Sequence, residues 1–263
     1  MENKVNEDIL KSNQCLVCVL DILGFKTLLN EHQADDIFET LSSMFYAFTK
    51  QKDSIGITNE LFQNMQFQYF GDTTFIVMDL QNFQNKLKII DDFLRFIATF
   101  AIFFIAQTQY FIRGGIGFGN YSQKKMFDDK MLFIYSESLN EAVNLEKKAD
   151  VPRILVSDKL IEHIHKLGLS DLSNTSVLRS SDDCMFVDIY SGYDKVKGFD
   201  ALGEIRSIAA ALIYQCSKNI NNRKVLEKYY WFQEYHNKKM EEFFKRGLVS
   251  DKENLLVKIP YQI

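Results

Sequence analysis

The chain has 263 residues, of which 46% are hydrophobic, with a net charge of −4 at pH 7 and four cysteines. This length allows one large domain, or one of about 190 residues with an appendage. The acidic balance argues against nucleic acid as a partner, since duplex-binding proteins carry a basic face. Four cysteines without a signal peptide indicate a reducing cytoplasm. The apolar stretch 93–105 is too short for a membrane span and predicts a buried core helix.

Apolar periodicity and turn residues divide the first half of the chain into strands and helices. The predicted elements are a polar, flexible N-terminus 1–13, a buried strand 14–22, a helix from Gly24 to about Lys52 with one break near Asn30, a hairpin of strands 65–70 and 73–79, and a helix from about Asn82 to Gln107. The hairpin prediction depends on Gly71-Asp72 between two β-rich runs, which is a strong turn signal.

The second half continues with shorter strands and ends in helices. The predicted elements are a glycine-rich strand 110–119, a short strand near 131–134, a helix from the N-cap Ser136 through Ala149, a strand 153–157, a helix from 158 to about 166, a loop 168–183, a strand 185–190, and two long helices from about 200 to 246. This order predicts an α+β fold with a ferredoxin-like βαββαβ core, a mixed or antiparallel sheet, and C-terminal helices. We expect one domain over 14–190 and a helical extension over 191–263.

Two aspartates come together in this predicted arrangement. The split βαβ connection pairs the first strand antiparallel with the second arm of the hairpin, so Asp21 at the strand end lies beside Asp72 at the hairpin tip. Two converging carboxylates next to a helix N-terminus suit Mg²⁺ or Mn²⁺ carrying a phosphate chain. The alternative is that Asp21 only caps a helix and Asp72 only forms a turn.

Four blocks of sequence resemble class III nucleotidyl cyclase domains, in the order and spacing of that family. They are Asp21-Ile-Leu-Gly-Phe25, which resembles the opening motif; Gly71-Asp72, which resembles the second metal-binding segment; Arg113-Gly-Gly-Ile-Gly-Phe-Gly119, which resembles the glycine-rich strand; and Leu139-Asn-Glu-Ala-Val-Asn-Leu-Glu146 with Ile154-Leu-Val-Ser157, which resembles the following helix and strand. Together the blocks cover roughly residues 14–190.

The resemblance implies an enzyme that cyclises a nucleoside triphosphate with two divalent cations, Mn²⁺ or Mg²⁺. In the family, one ion acidifies the ribose 3′-OH and the other stabilises the departing pyrophosphate. Matched by position, the implied metal ligands are Asp21, Asp72 and the Ile22 carbonyl, and the implied phosphate cradle is the backbone N–H groups of Leu23, Gly24 and Phe25.

The chain departs from the family at the positions that read the base and stabilise the transition state. Gln68 stands where purine cyclases carry Lys or Glu, and Phe133 is close to the place where adenylate cyclases carry Asp or Thr. Neither side chain supplies a charge-assisted purine contact. The transition-state pair keeps Asn140, whereas its Arg is replaced by Asn144. The candidates for a substitute cation are Arg113, Lys195 and Lys197.

The segment Glu227-Lys-Tyr-Tyr-Trp-Phe-Gln-Glu-Tyr-His-Asn237 resembles a helix of the Pycsar pyrimidine cyclases. Those bacterial enzymes of anti-phage defence make cyclic UMP or cyclic CMP. The leading hypothesis is therefore a cyclase that converts UTP, with CTP as the second choice, to the 3′,5′-cyclic mononucleotide and pyrophosphate. Two alternatives stay open: an adenylate or guanylate cyclase with atypical base contacts, and a catalytically silent cyclase-like module that binds nucleotide or dimerises.

The family resemblance also implies a homodimer with shared active sites. The metal ligands Asp21 and Asp72 come from one protomer, and the helix bearing Asn140 comes from the other. We expect a nucleoside triphosphate as substrate, no nucleic acid or membrane partner, and a cytoplasmic location.

Overall fold

The structure is a computed structural model that describes residues 13–31, 33–51, 58–126, 131–172, 175–191, 193, 201–249 and 255–258. Most of the N-terminus predicted to be flexible, residues 1–12, lies outside the described residues, as do the candidate cations Lys195 and Lys197. Asn13, which was assigned to that N-terminus, is the first residue of the first strand.

The described residues form eight strands and eight helices. In chain order they are β1 Asn13–Ile22, α1 Phe25–Glu31, α2 Ala34–Gln51, α3 Asn59–Gln63, β2 Met65–Phe70, β3 Thr73–Asp79, α4 Lys86–Thr108, β4 Ile112–Met126, β5 Met131–Ser136, α5 Glu137–Lys148, β6 Ile154–Val156, α6 Asp158–Lys166, β7 Val177–Arg179, β8 Met185–Val187, α7 Ala201–Lys218 and α8 Arg223–Lys245.

The strands form one mixed sheet in the order β2-β3-β1-β4-β6-β8-β7, with β5 paired to the second half of β4. β1 pairs antiparallel with β3 and β4, and β2 pairs antiparallel with β3, whereas β4 and β6 are parallel. Because β3 separates β1 from β2, the first four strands have the split βαβ arrangement. The predicted α+β fold, with its mixed sheet and C-terminal helices, is confirmed.

The hairpin of β2 and β3 closes through Gly71-Asp72, as predicted. Phe70 pairs with Thr73 across the two-residue turn, and Gly71 has a φ of 60°. A type II′ hairpin turn requires positive φ at its first central position, which a residue with a Cβ adopts only under strain. The glycine therefore sets the turn that places Asp72 at the hairpin tip.

Alternate residues of β1 lie on opposite faces of the sheet. Leu16, Cys18, Leu20 and Ile22 are buried in the main hydrophobic core, and we call their side of the sheet the sealed face. Helix α4 shares that core and packs in turn against α2, α3 and α7. This arrangement shields the sealed face from solvent.

The other side of the sheet, which we call the open face, carries Cys15, Val17, Val19 and Asp21 of β1. The first three form a small buried cluster with Ala142 of α5. Helix α5 packs on β1 and β4 here. At the β2 edge of the sheet the cover is incomplete, because residues such as Phe70 stay 61% exposed.

Glycines of β4 let α5 approach the open face closely. A Cβ at Gly117 would lie well inside van der Waals contact with the Ser138 carbonyl of α5, and a Cβ at Gly115 would overlap the Ala142 carbonyl. The glycine-rich strand therefore brings the α5 backbone against the sheet.

Helix α4 is the buried core helix that the apolar stretch 93–105 predicts. Its N-cap Asn85 accepts a hydrogen bond from the Lys88 N–H, and its residues from Phe93 to Ile105 are mostly buried. In the part of the chain that the structure describes, no helix is both long enough and apolar enough to cross a membrane.

Helices α7 and α8 pack into the same core as the sheet. Ile208 and Leu212 of α7 and Phe232 of α8 are buried there. Phe111, next to the start of β4, contacts Phe232 edge-on with ring centroids 4.8 Å apart. The C-terminal helices and the sheet thus share one hydrophobic core.

A buried polar cluster attaches α8 to its surroundings. The Nε2 of His236 donates to the Leu255 carbonyl at 2.8 Å, so its Nδ1 accepts from the Tyr190 hydroxyl at 2.6 Å. Asp188 pairs with Lys239 of α8 at 2.7 Å. Burial lowers the pKa of His236 to about 4, so the ring is neutral at pH 7.

Three features of the fold differ from the sequence prediction. The helix α3 was not predicted, and β7 lies in the segment 168–183 that was predicted to be a loop. Strand β4 continues beyond residue 119 to Met126, where it pairs with β5. Both missed elements are short, at five and three residues, and so carry too little periodicity to be recognised.

Candidate active site

Asp21 and Asp72 lie together at the end of β1, as the predicted strand pairing requires. Asp21 pairs with Thr73, the residue after Asp72, and the Ile22 N–H donates to the Asp72 carbonyl oxygen at 3.2 Å. The charge of Asp72 contributes to raising the pKa of Asp21. The two carboxylates are therefore close enough to act on one ligand.

Arg113 connects Asp21 to helix α5. Its Nε donates to Oδ2 of Asp21 at 3.0 Å, and its Nη2 pairs with Oε1 of Glu146 at 2.8 Å. Its Nη1 donates to the Ala149 carbonyl oxygen at 3.3 Å. Arg113 was proposed from sequence as a cation that binds phosphate. Its side chain instead bonds to groups of its own chain, and it positions the Asp21 carboxylate.

The charge at this site is net negative. Burial raises the pKa of Asp21, Arg113 opposes that rise, and Asp72 adds to it. Burial likewise raises the pKa of Glu146, again opposed by Arg113 and increased by Asp21. Three carboxyl groups around one guanidinium leave an excess of acid, which favours a cation.

The donor set fits a divalent cation that arrives with a phosphate. Among the described residues, no group of three or more His, Cys, Asp or Glu side chains is arranged to hold a metal ion. Mg²⁺ is usually held by one or two carboxylates, with waters and substrate phosphates as the remaining ligands. Asp21 and Asp72 supply that number of carboxylates, so the substrate would complete the coordination.

The backbone after Asp21 contributes unequally to the expected ligand and phosphate contacts. In an antiparallel ladder the N–H and C=O of one residue face the same neighbouring strand, so the Ile22 carbonyl faces Asp72. The Leu23 N–H donates to the Phe111 carbonyl oxygen at 2.8 Å. This N–H is therefore not available to a phosphate, and the phosphate contacts expected of the Gly24 and Phe25 N–H groups stay a prediction.

Gln68 lies on the open face, the same face as Asp21. It pairs with Phe75 of β3, which pairs in turn with Val19 of β1, and cross-strand partners share a face. The Asp21 position is one row of side chains further along, so strand spacings put it about 12 Å from Gln68. The side chain is half-buried. A nucleotide can span this separation between its base and its phosphates.

Asn140 and Asn144 are exposed on α5, away from Asp21 of their own chain. The side of α5 that packs on the sheet is marked by buried Ala142. Each asparagine lies about 160° around the helix from Ala142, since successive residues turn by about 100°. The structure therefore does not bring these two residues to the aspartates of the same protomer.

Phe133 lies on β5, where it pairs with Lys124 of β4 and is 52% exposed. Gln123, the neighbour of Lys124 on β4, donates to Gln66 of β2 at 3.0 Å, and strand pairing puts Gln66 on the open face. Lys124 and its strand partner Phe133 therefore lie on the other face from Asp21. The structure does not bring Phe133 to the aspartates.

Sequence reasoning did not assign a role to Glu146, although it lies in the quoted block Leu139–Glu146. Its signal was a carboxylate four residues after the buried Ala142, which puts an acid on the packed side of the helix. Buried acids are normally paired, so this position indicated a cationic partner. The partner is Arg113.

No protein-family model matches the chain, and no curated protein sequence matches it. Solved structures similar to it include the adenylyl cyclase CyaB from P. aeruginosa, at 16% identity and a TM-score of 0.48, covering 67% of this chain and 93% of that chain. The monomeric guanylyl cyclase domain of the RhoGC fusion protein from Blastocladiella emersonii is similar at 16% identity and a TM-score of 0.47, covering 68% of this chain and 96% of that chain.

The guanylate cyclase domain of RhGC from Catenaria anguillulae, in complex with GTP, is similar at 15% identity and a TM-score of 0.46, covering 67% of this chain and 95% of that chain.

Proposed function

We propose that this chain is a nucleotidyl cyclase that converts a pyrimidine nucleoside triphosphate, UTP in preference to CTP, to its 3′,5′-cyclic mononucleotide. The observation that carries the proposal is the convergence of Asp21 and Asp72 at the end of β1. Both carboxylates match the metal positions of the class III motifs in the sequence. From the resemblance of the C-terminal helix, the cyclic product would serve as a second messenger in bacterial anti-phage defence.

In the proposed reaction a bond forms between the ribose O3′ and the α-phosphorus. The bond to the β-phosphate breaks, pyrophosphate leaves, and the 3′-OH loses its proton. Two divalent cations would supply the acidification of that hydroxyl and the charge that the leaving group needs. Asp21 and Asp72 would hold the cations, and Arg113 keeps the Asp21 carboxylate in place through its contact at 3.0 Å.

Gln68 supports the choice of a pyrimidine base. An amide both donates and accepts, and so matches the adjacent donor and acceptor groups on a pyrimidine edge. A cationic side chain at this position would only donate hydrogen bonds to the base, and an anionic one would only accept them. The position of Gln68 on the open face is consistent with a base that lies along β2.

The orientation of α5 supports an active site shared by two chains. Asn140 and Asn144 face away from the aspartates of their own protomer, so they can reach a reacting nucleotide only from a partner chain. The exposed apolar side chains of β5 offer surface for such a partner, with Phe133 at 52% and Tyr135 at 75% exposure. A two-fold dimer would form two equivalent sites.

Incubation of the purified chain with Mn²⁺ and each of the four nucleoside triphosphates, followed by assay of cyclic products, tests the function. We expect a cyclic pyrimidine nucleotide, and loss of about 100-fold or more in activity for Asp21→Asn and Asp72→Asn, since each removes a ligand charge. Asp158→Asn, an exposed aspartate in the first turn of α6, is the matched control.

The outcomes separate the alternatives. A cyclic purine product would replace the pyrimidine assignment with an adenylate or guanylate cyclase. Absence of any product from a folded, dimeric chain would leave the silent nucleotide-binding module. Mixing inactive Asp72→Asn chains with inactive Asn140→Ala chains tests the shared site, because a heterodimer has one site with both intact halves. No recovery on mixing would contradict the shared site.

A further inference from the structure

A hydrogen bond between two glutamine side chains joins β2 to the second half of β4. The Nε2 of Gln123 donates to Oε1 of Gln66 at 3.0 Å. Strands β3 and β1 lie between β2 and β4 in the sheet, so this contact passes over two strands. Gln66 pairs with Val77, which pairs in turn with the open-face residue Val17. The two amides therefore lie over the open face, and we call the pair the Gln66–Gln123 bridge.

A buried tyrosine fixes the β4 end of the bridge. The Tyr121 hydroxyl donates to Oε1 of Gln123 at 3.2 Å, and Tyr121 is 6% exposed. Tyr121 belongs to the small buried cluster of the open face, together with Val17 and Ala142. Gln123 is thus bonded through both atoms of its amide, to Tyr121 on one side and to Gln66 on the other. These bonds hold the bridge in one place, although both glutamines are exposed to solvent.

The bridge lies beyond Gln68 as seen from the candidate metal ligands. Gln66 and Gln68 are two residues apart on β2, so their side chains share the open face. Strand spacings put Gln66 about 16 Å from Asp21, against about 12 Å for Gln68. A nucleotide whose phosphates lie at Asp21 and whose base reaches Gln68 therefore meets the bridge next.

Two aromatic rings line the open face between Asp21 and the bridge. Phe75 pairs with Gln68, and Phe70 pairs with Thr73, so both rings lie on the same face as Asp21. The two rings contact edge-on, with centroids 5.7 Å apart. Every base has a π-face that can stack on an aromatic ring, so these rings accept purines and pyrimidines alike. Discrimination by size then depends on where the space for the base ends.

We propose that the Gln66–Gln123 bridge is the end wall of the base site and excludes purine nucleoside triphosphates by their length. A purine carries a second ring, so with its phosphates at Asp21 its far edge would overlap the amide pair, whereas a pyrimidine stops at Gln68. A clash with the competing ligand is one of the two ways in which a site gains specificity. This role rests on the proposed function, in which the base lies along β2, and it adds the means by which a pyrimidine is selected.

The test compares kcat/KM for each of the four nucleoside triphosphates with Mn²⁺ in the parent, Gln66→Ala and Gln123→Ala. Each variant removes one side of the bridge and leaves both aspartates and Gln68 in place. We expect the ratio of purine to pyrimidine kcat/KM to rise about tenfold or more, since room for a single methylene group already changes discrimination by that factor. Gln63→Ala, an exposed glutamine of α3, is the matched control and should keep the ratio of the parent.

Two further variants separate an end wall from a structural role. Gln66→Glu keeps the length of the side chain and an oxygen that accepts from Gln123, so it should exclude purines as the parent does. Tyr121→Phe keeps the buried ring and removes the hydroxyl that holds Gln123, so its ratio should lie between those of the parent and Gln123→Ala. An unchanged ratio in both alanine variants, or an equal fall in kcat/KM for all four triphosphates, would overturn the proposal.

The products of the parent report on the proposed function separately. If the parent makes a cyclic pyrimidine nucleotide and the alanine variants keep its ratio, the function stands and the bridge is not the end wall. If the parent makes no product, calorimetric titration with UTP and with ATP in Mn²⁺ measures the same ratio from the Kd values, so the end wall is tested without catalysis. A parent that binds or cyclises ATP better than UTP would contradict both proposals.

Discussion

The sealed and open faces of the sheet use adjacent residues of the same strands in different ways. Leu20 of β1 is 2% exposed in the main core, whereas Asp21, the next residue, faces α5 and meets Arg113 at 3.0 Å. On β4 the same alternation separates buried Ile112 from Arg113. Strand pleating alone produces this division, because successive side chains point to opposite faces.

This difference between the two faces indicates which side chains stabilise the fold and which are available to a ligand. Charges on the sealed face would be removed from water on all sides, at a cost that only complete pairing offsets. On the open face α5 covers part of the sheet, so Asp21 and Arg113 pair with each other and still reach solvent at the edge, with side-chain exposures of 18% and 25%. We therefore expect changes on the sealed face to lower stability, and changes on the open face to alter function.

Replacing one phenylalanine on each side tests this comparison, and the sealed side gives the largest effect. Phe111 is fully buried and contacts Tyr229 and Phe232 edge-on. Phe111→Ala should lower the free energy of unfolding by about 3–5 kcal/mol, since it removes a large apolar side chain and leaves a cavity. Urea unfolding followed by circular dichroism measures the loss.

Phe70→Ala on the open face is the matched substitution. Phe70 is 61% exposed, so its removal should change the free energy of unfolding by no more than about 0.5 kcal/mol. Equal losses in the two variants would show that the open face is as tightly packed as the sealed one, and would contradict the division.

The pH dependence of stability gives a second, smaller effect on the sealed side. Burial lowers the pKa of His236 to about 4, against 6.5 for an exposed histidine. Below pH 6.5 the unfolded chain takes up a proton that the folded chain excludes, so the stabilisation present above pH 6.5 is lost as the pH falls towards 4. At about 1.4 kcal/mol per pH unit, the full loss is about 3 kcal/mol.

Unfolding of the parent and His236→Gln between pH 7 and pH 4 measures this contribution. The variant has no titrating ring, so its stability should change less with pH over this range, even if it is lower throughout because the bonds to Tyr190 and Leu255 are altered. Parallel curves for the two chains would exclude His236 as the source of the pH dependence.

The sequence predicted the elements with strong local patterns. β1, the hairpin and α4 carry clear alternation, a Gly-Asp turn and a long apolar stretch, and the structure has each of them. The split βαβ order also predicted that Asp21 lies next to Asp72. The short elements α3 and β7 were missed because five and three residues contain less than two periods of a helix or strand pattern.

The contacts of the site were less predictable than its position. Arg113 was proposed as a phosphate cation, yet its partners Glu146 and Ala149 are more than 30 residues away in sequence, and the choice among possible partners depends on how α5 packs. A cavity of about 160 Å³ joins the turn at Gly24 to the α7–α8 junction, near residue 222. No local pattern connects segments so far apart, because tertiary packing alone brings them together.

The smallest predicted effect concerns the carboxylates of the open face. Burial raises the pKa of both Asp21 and Glu146, and the charge of Asp72 adds to each rise, because like charges repel. Asp72→Asn relieves part of this repulsion and keeps an oxygen that can accept from the Thr73 hydroxyl. At pH 7 and without divalent cations, the variant should therefore be more stable than the parent, by less than about 1 kcal/mol.

The gain should disappear at low pH. A carboxyl whose pKa is raised in the folded state stabilises the fold when it is protonated, and that contribution is lost as the pH rises through the folded-state pKa. Acid therefore removes the repulsion in the parent as well. Mn²⁺ should reverse the order of melting temperatures, since the parent keeps both ligand charges and gains more from the ion. A parent more stable than Asp72→Asn without metal, or an order that Mn²⁺ leaves unchanged, would argue that Asp72 has only a turn-forming role.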